Sequence, residues 1–267
     1  MTDFSWLNLT DAIKPDEWEL IDDETVGSTP DIAWVRNKKN GKKALFKPNS
    51  YGRNEAYSEY AVSKIATFLG ISCAQIEVGE LFGRHGCVSH DCGDEKRYRV
   101  ADGYSLLRCD LRFNNQRKDS KDREYNSGIE ISFKGLLPYI SEQTETDLVK
   151  MMFLDCLVKN SDRHPGNYSF FINFQHVLCG LMPLYDHGHT LFESYRDISL
   201  FPYEGFMELP FDDLYRLLAE NHSGIVDDLL DKMKTAEAKE LLDKLGCHDF
   251  ILKRVEKFEN LRRTPQL

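Results

Sequence analysis

The stretch NSDRHPGN at residues 160–167, followed by PLYDHG at residues 183–188, decides how this chain is interpreted. Asp162 precedes Asn167 by five positions, and Asp186 follows a short apolar run. A carboxylate can accept the proton of an attacking hydroxyl, and carboxylate and amide oxygens are hard ligands that suit Mg²⁺. Phosphoryl transfer from ATP needs such a base and positioned metal rather than covalent chemistry by the protein. The stretch therefore predicts a phosphotransfer centre, with Asp162 as the base and Asn167 and Asp186 as metal ligands.

The segments around this centre predict a mainly helical region. Apolar residues at helical spacing follow a capping-box pattern that begins at Thr144, and they predict a buried helix leading into the centre. Residues 168–174 and 177–184 alternate as two short strands that end just before the second motif. Residues 210–263 predict three or four amphipathic helices.

The first hundred residues instead predict strands with one helix. The pair Asn40-Gly41 favours the positive φ angles of a hairpin turn. Residues 54–69 carry apolar side chains at helical spacing, and Gly70 follows as a stop signal. Strands are predicted at residues 31–36, 42–47, 74–82 and 87–90. The order of these segments predicts an α+β fold.

The N-terminal half also offers groups that could hold phosphates. Lys47 ends a strand of apolar neighbours, so its ammonium is expected to face a cleft and contact the α and β phosphates. A glutamate on the next helix would orient this lysine, and periodicity alone leaves both Glu55 and Glu59 open. The segment VGSTP at residues 26–30 could cover the phosphates with backbone N–H groups.

Taken together, these motifs resemble the HipA family of bacterial serine/threonine kinases, and in particular its compact, CtkA-like members. The resemblance rests on LFKP at residues 45–48, the helix ending at Gly70, and the motifs at residues 160–167 and 183–188. The shared order of lysine, helix glutamate, Asp-x-x-x-x-Asn and strand-terminal aspartate is that of protein-kinase-like folds. The resemblance covers roughly residues 26–191.

The resemblance implies a two-lobed protein-kinase-like fold with ATP between the lobes. Residues 1–93 would form a β-rich, nucleotide-binding lobe with one helix, and residues 94–267 a mainly helical, catalytic lobe. Mg²⁺ would lie at Asn167 and Asp186. The expected activity is ATP- and Mg²⁺-dependent transfer of the γ-phosphoryl group to a serine or threonine hydroxyl of a protein, including autophosphorylation.

Further roles are implied by the same resemblance. The family spacing to the glycine after the helix favours Glu59 as the partner of Lys47. The residues Gly27, Ser28 and Thr29 would form the loop that covers the phosphates. A cognate antitoxin or regulatory protein is a further expected partner, besides ATP and a protein substrate.

Two features depart from the family pattern. Gly166 stands where HipA commonly has a lysine before the metal-binding asparagine, so that phosphate contact is absent. The chain also has no room for the long N-terminal subdomain of full-length HipA.

Composition narrows the functional classes. The 267 residues carry a formal net charge of -10, which disfavours direct binding to nucleic acid or to anionic membranes. The seven cysteines are odd in number and form no C-x-x-C pair, as expected for reduced thiols in the cytoplasm. No secretory leader pattern and no uncharged apolar run of roughly 20 residues occurs.

Two other functions compete with the protein-kinase hypothesis. The pattern Asp-Arg-His-x-x-Asn also resembles the catalytic loop of phosphoinositide kinases, which makes a lipid or small-molecule kinase the first alternative. The second is a nucleotide-binding interaction module whose kinase site is idle. The net negative charge argues against lipid substrates, and the presence of Asp162, Asn167 and Asp186 argues against an idle site.

Other polar residues favour structural explanations. Arg163 and His164 are expected to stabilise their loop by hydrogen bonds. A zinc site at His85, Cys87, His90 and Cys92 is disfavoured, because the gaps are too tight and neighbouring residues of a strand point to opposite faces. The highly charged residues 114–127 predict an exposed loop.

Overall fold

The computed structural model describes residues 11–25, 32–50, 54–93, 97–103, 137, 140–175, 177–191, 198–199 and 209–263. The fold is α+β, as predicted. Its elements are an antiparallel five-stranded sheet with one helix packed on it, a smaller three-stranded sheet, and a set of helices in the second half of the chain. The predicted loop at residues 114–127 lies outside the described residues. None of the described helices is both long and apolar enough to cross a lipid bilayer.

The large sheet has the strand order β1-β2-β3-β5-β4, and every neighbouring pair is antiparallel. Its strands are β1 Trp18–Thr25, β2 Ala33–Asn37, β3 Lys43–Pro48, β4 Ile76–Leu81 and β5 Arg84–His90. Helix α1, Glu55–Leu69, lies between β3 and β4 in the sequence and ends at Gly70 in the left-handed conformation. The hairpin, the helix and its stop signal were all predicted. β1 was not, because its alternation is interrupted by the run of acidic residues in WELIDDET.

The hairpin between β2 and β3 uses a longer turn than the Asn-Gly pair suggested. Gly41 has a φ of 71°, but Asn40 is not among the described residues with positive φ. The Gly41 N–H donates to the carbonyl of Asn37, and the Asn37 N–H donates to that of Lys42. The glycine is therefore needed, whereas the expectation of positive φ at both positions was wrong.

The two faces of the large sheet carry different cores. Phe46 belongs to a buried cluster with Trp18, Val35 and Val88, to which Ile13 is added by the segment that precedes β1. Successive residues of a strand point to opposite faces, so Lys47 points to the other face, toward α1. The alternation of β3 thus places one lysine on the face where the glutamates of α1 lie.

The centre of the second half is helix α2, Glu142–Val158, whose last two turns are completely buried. Its N-cap is Ser141, whose hydroxyl accepts a hydrogen bond from the Thr144 N–H. The predicted start at Thr144 was therefore one turn late, because Ser141 offers the same cap chemistry earlier in the chain. Four further helices follow: α3 Phe211–Asn221, α4 Ser223–Met233, α5 Ala236–Leu245 and α6 His248–Arg263. Helices α3, α4 and α6 pack against α2, whereas α5 packs against α1, α4 and α6. They match the predicted amphipathic helices.

The small sheet has the order β6-β7-β8, with strands Arg99–Asp102, Ser169–Ile172 and Leu178–Leu181. β7 and β8 are the predicted strand pair, while β6 was missed because its four residues are too short for a periodic signal. A further two-stranded ladder pairs β9, Ile198–Ser199, with β10, Leu209–Pro210.

Helix α1 is bonded to the second half of the chain as well as to the sheet. The Tyr57 hydroxyl donates to the carbonyl of Leu245 at the end of α5, at 3.0 Å. The Ser58 hydroxyl donates to the carbonyl of Thr190, also at 3.0 Å. The buried residues of α1, α2 and the C-terminal helices form one continuous core. The proposed division at residues 93 and 94 remains a prediction.

Candidate active site

Lys47 lies between two carboxylates from distant parts of the chain. Its Nζ is 2.8 Å from Glu59 Oε1 and 2.9 Å from Asp186 Oδ1. The Glu59 side chain is 2% exposed, that of Lys47 16%, and that of Asp186 38%. The cluster is therefore closed on the α1 side and open at Asp186.

The charges in this cluster stabilise one another. Burial disfavours the charged form of Lys47, but the carboxylates of Glu59 and Asp186 outweigh it and raise the lysine pKa. Burial also opposes charge on Asp186, yet the attraction of Lys47 holds its pKa below the ordinary value. The lysine therefore stays cationic and Asp186 anionic at neutral pH, as phosphate and metal binding would require.

Of the two glutamates left open by periodicity, Glu59 is the partner of Lys47. Its second oxygen, Oε2, accepts the main-chain N–H of His187 at 3.0 Å. Glu55, one turn earlier, accepts the N–H of Ser50 at 3.0 Å. Glu59 thus joins β3, through Lys47, to the residue that follows Asp186.

The loop after α2 presents Asp162 and Asn167. The Asn167 Nδ2 donates to the Asp162 carbonyl at 2.8 Å, which fixes the amide orientation and leaves Oδ1 without a partner among the described residues. The N–H of the half-buried Asp162 donates to Asn160 Oδ1 at 3.2 Å. Within the described ranges, no protein group pairs with the Asp162 carboxylate. His164 stabilises the loop as expected, since its Nδ1 accepts the Gly166 N–H.

Arg163, completely buried, joins this loop to the segment that carries Asp186. Its Nε and Nη2 donate to the two oxygens of Asp155 at 3.1 Å each. Its Nη1 donates to two main-chain carbonyls, those of Asn167 and Tyr185, the latter at 3.0 Å. One nitrogen atom therefore holds the main chain at the predicted metal ligand Asn167 and at Tyr185, next to the predicted ligand Asp186.

The remaining contact of Arg163 fixes the state of His187. The Arg163 Nη2 lies 3.1 Å from His187 Nδ1, and a guanidinium can only donate, so Nδ1 is the acceptor. The proton of the neutral ring is then on Nε2, which faces Cys73 Sγ at 3.7 Å. Burial and the charge of Arg163 hold the His187 pKa well below 6.5. This imidazole is a neutral part of the framework.

Asp186 occupies an uncommon backbone conformation. Its φ is 62°, in the left-handed region that non-glycine residues seldom adopt. Leu184, two residues earlier, forms main-chain hydrogen bonds with Ala74 and Ser72, at 2.8 and 2.9 Å. Strained conformations of this kind persist where surrounding contacts over-determine them, and they cluster at functional sites.

The donor atoms suit Mg²⁺. Asn167 Oδ1 and the second oxygen of Asp186 are hard oxygen ligands, and Mg²⁺ is usually held by one or two such groups with phosphates and water. No group of three or more His, Cys, Asp or Glu side chains among the described residues is arranged to hold a metal ion by itself. Around the disfavoured zinc residues, His90 Nε2 instead contacts Glu77 Oε1 at 2.8 Å, and Cys87 is buried.

Some of the predicted site residues are outside the described residues, and two residues of the site were not predicted from the sequence. Gly27, Ser28 and Thr29 are outside the described residues, so their role stays a prediction. Sequence reasoning missed Asp155 and His187 as parts of the site. Asp155 had a signal, since it is a lone carboxylate in the apolar run MMFLDCLV and a buried charge needs a partner.

The sequence matches a known family model over most of its length. The model is that of the HipA-like C-terminal domain, and it matches residues 20–245. No curated protein matches the sequence.

Solved structures show the same fold. The proinflammatory kinase CtkA of Helicobacter pylori is 15% identical, with 93% of this chain and 97% of CtkA covered at a TM-score of 0.65. HipA of Shewanella oneidensis, solved with HipB and operator DNA, is 15% identical, with 91% of this chain and 68% of that chain covered at a TM-score of 0.59. At these identities the likeness shows a kinase-like fold.

Proposed function

The chain belongs to the HipA-like C-terminal domain family, and from this we propose that it is an ATP- and Mg²⁺-dependent protein kinase. It would transfer the γ-phosphoryl group to a serine or threonine hydroxyl. The observation that carries the proposal is the position of Lys47 Nζ, within 2.9 Å of both Glu59 and Asp186. A lysine on a strand, a helix glutamate and a metal-binding aspartate are the parts that a protein kinase must assemble around ATP.

Each residue has a proposed task. Lys47, oriented by Glu59, would hold the α and β phosphates. Asn167 Oδ1 and Asp186 would hold Mg²⁺, which when bound would neutralise charge on the phosphates. Asp162, whose carboxylate no described protein group occupies, would orient the substrate hydroxyl and accept its proton.

The proposed reaction balances without any further reactant. The hydroxyl oxygen of the substrate forms a bond to the γ-phosphorus, and the bond from that phosphorus to the bridging oxygen of ADP breaks. The hydroxyl proton passes to Asp162, and ADP leaves with the electron pair of the broken bond.

A protein is favoured over a lipid as the substrate. The net charge of -10 does not attract the chain to an anionic membrane surface. Autophosphorylation, with Ser28 or Thr29 as acceptors, belongs to the same proposal. HipA of Shewanella oneidensis was solved with HipB, which supports a cognate antitoxin or regulatory protein as a proposed partner here.

The test measures phosphate transfer to several classes of acceptor. Purified protein would be incubated with γ-labelled ATP and Mg²⁺, alone, with a lysate of its host, or with phosphoinositide vesicles. We expect label in the chain itself or in lysate proteins, and none without Mg²⁺.

The variant Asp162→Ala should lose the transfer while keeping its melting temperature. Asp249→Asn, at a carboxylate that is 95% exposed on α6, is the matched control and should keep full activity. Label that appears only in lipid would support the lipid-kinase alternative. Nucleotide binding without label in any arm would support an idle module.

A further inference from the structure

Arg163 contacts both halves of the proposed centre through one atom. Its Nη1 donates to the carbonyl of Asn167, in the loop that bears the base, and to the carbonyl of Tyr185, next to Asp186. These two carbonyls are 18 positions apart in the sequence, yet a single donor fixes how far apart they lie. A change in the position of that nitrogen would move one predicted metal ligand relative to the other.

The position of the guanidinium is itself fixed from a rigid element. Asp155, in the last turn of α2, accepts from Nε and Nη2 with both carboxylate oxygens. Asn160 Nδ2 donates to the same carboxylate at 2.8 Å. Burial raises the Asp155 pKa despite the attraction of Arg163, so its charge depends on these bonds. The plane of the guanidinium is therefore set by helix α2.

Only an arginine has the donors for this arrangement. The acceptors of Arg163 lie on several sides: the Asp155 carboxylate, two main-chain carbonyls and His187 Nδ1. A guanidinium offers five donors in a rigid plane, whereas a lysine offers three on a single flexible nitrogen. A lysine would keep the positive charge and lose the bridge between the two segments.

We infer that Arg163 is a positioning residue for phosphoryl transfer, which sets the separation of the proposed metal ligands Asn167 and Asp186 through the main-chain carbonyls of Asn167 and Tyr185. This inference rests on the proposed function and deepens it, because it assigns control of the metal geometry to a residue that touches neither metal nor substrate. Outer contacts of this kind tune metal affinity by about 10- to 100-fold.

A matched control is available in the same molecule. Arg254 on α6 is also buried, donates to the Cys156 carbonyl of α2 at 2.9 and 3.2 Å, and lies 3.4 Å from Asp212. It therefore resembles Arg163 in burial and in its main-chain and carboxylate contacts. It does not join the two segments of the proposed centre.

The experiment compares Arg163→Lys with Arg254→Lys, provided that the two variants have similar melting temperatures. We expect Arg163→Lys to lower kcat by about 100-fold, as for a roughly 1 Å misplacement, and to raise the apparent KM for Mg²⁺ by about 10-fold. Binding of Mn²⁺ in the presence of ATP, read by electron paramagnetic resonance, should weaken by about 10-fold as well. Arg254→Lys should leave all three quantities within about threefold of wild type.

A second variant covers the case in which Arg163→Lys does not fold. Asp155→Glu keeps the ion pair but shifts the guanidinium by one methylene, and it should weaken Mn²⁺ binding in the same direction. Unchanged Mg²⁺ and Mn²⁺ dependence in whichever of these two variants folds, or equal losses in the Arg254 control, would overturn the inference. A wild-type protein that binds Mn²⁺ with ATP but transfers no phosphate would contradict only the proposed function, and the Mn²⁺ comparison would still decide the role of Arg163.

Discussion

Two ionic clusters contact the segment that carries Asp186 and differ in what surrounds them. The Lys47 cluster joins the large sheet to the second half of the chain, and its Asp186 side chain is 38% exposed. The Asp155–Arg163 pair lies wholly within the core, with both side chains completely buried. The first cluster can exchange a partner with an incoming ligand, whereas the second cannot.

The difference indicates that the Lys47 cluster is suited to binding a ligand, whereas the Asp155–Arg163 pair stabilises the fold. Lys47 pairs with a carboxylate that a metal ion could take over, which would free the ammonium for phosphates. Asp155 and Arg163 have their donors and acceptors matched by main-chain and side-chain groups, and breaking such a buried pair leaves an uncompensated charge. We therefore expect the two clusters to respond differently to substitution.

The largest effect on stability is expected for Asp155→Asn. Removing one charge of a completely buried pair should lower the free energy of unfolding by about 3–5 kcal/mol. Denaturant unfolding followed by circular dichroism measures it. Asp147→Asn, on the same helix, is the control and should lower the free energy of unfolding by no more than about 0.5 kcal/mol. Similar losses of stability in both variants would contradict the special role of the buried pair.

The largest effect on activity is expected for Lys47→Met. Loss of one preorganised cation should lower kcat by about 100- to 1000-fold, as is found for single groups that stabilise a transition state. Phosphate transfer at saturating ATP checks this, with Lys43→Met in the same strand as the control. Full activity without the Lys47 ammonium would refute its assignment.

A smaller effect is expected for Glu59→Gln. Lys47 would keep Asp186 as a partner but lose its orienting carboxylate, so activity should fall by about 10- to 100-fold, on the scale of the loss of an orienting outer contact. Glu55→Gln, one turn away on α1, should change activity by less than about threefold. One activity assay would thus show which of the two glutamates orients Lys47, a choice that periodicity alone left open.

The smallest effect is expected for an exposed pair remote from both clusters. Lys232 Nζ lies 2.9 Å from Asp228 Oδ2 on the surface of α4, at the i,i+4 spacing. Lys232→Ala should change the unfolding free energy by about 0.3–0.5 kcal/mol or less, because water and salt screen such pairs. A larger change, measured by the same denaturant titration, would mean that burial is not what distinguishes the clusters.

Much of this fold follows from local sequence patterns. The α2 region, the strand pair before Asp186 and the four C-terminal helices have clear periodicity, and Gly41 and Gly70 mark real left-handed positions. β1 was missed because acidic residues interrupt its alternation, although it pairs with β2, the next strand in the sequence. β6 has only four residues and pairs with β7, which lies far along the chain, so its formation depends on tertiary pairing that a local pattern does not encode.

The candidate site was predictable in its residues but not in its connections. Lys47 and Asp186 are 139 positions apart, and only the folded chain brings their side chains to 2.9 Å. Arg163 was expected to stabilise its own loop, and it does. Its contact with Tyr185 depends on where the second segment passes, which no local pattern encodes.

The hydrogen bonds of Tyr57 and Ser58 have a consequence for how the proposed site could be regulated. In protein kinases the placement of the glutamate-bearing helix governs whether the site is assembled. Here that helix is α1, and its residues Tyr57 and Ser58 form hydrogen bonds with the end of α5 and with the segment after Asp186. An outward swing of α1 would break both hydrogen bonds together. Under the proposed function, a regulator would therefore more easily block access to Asp186 than displace α1.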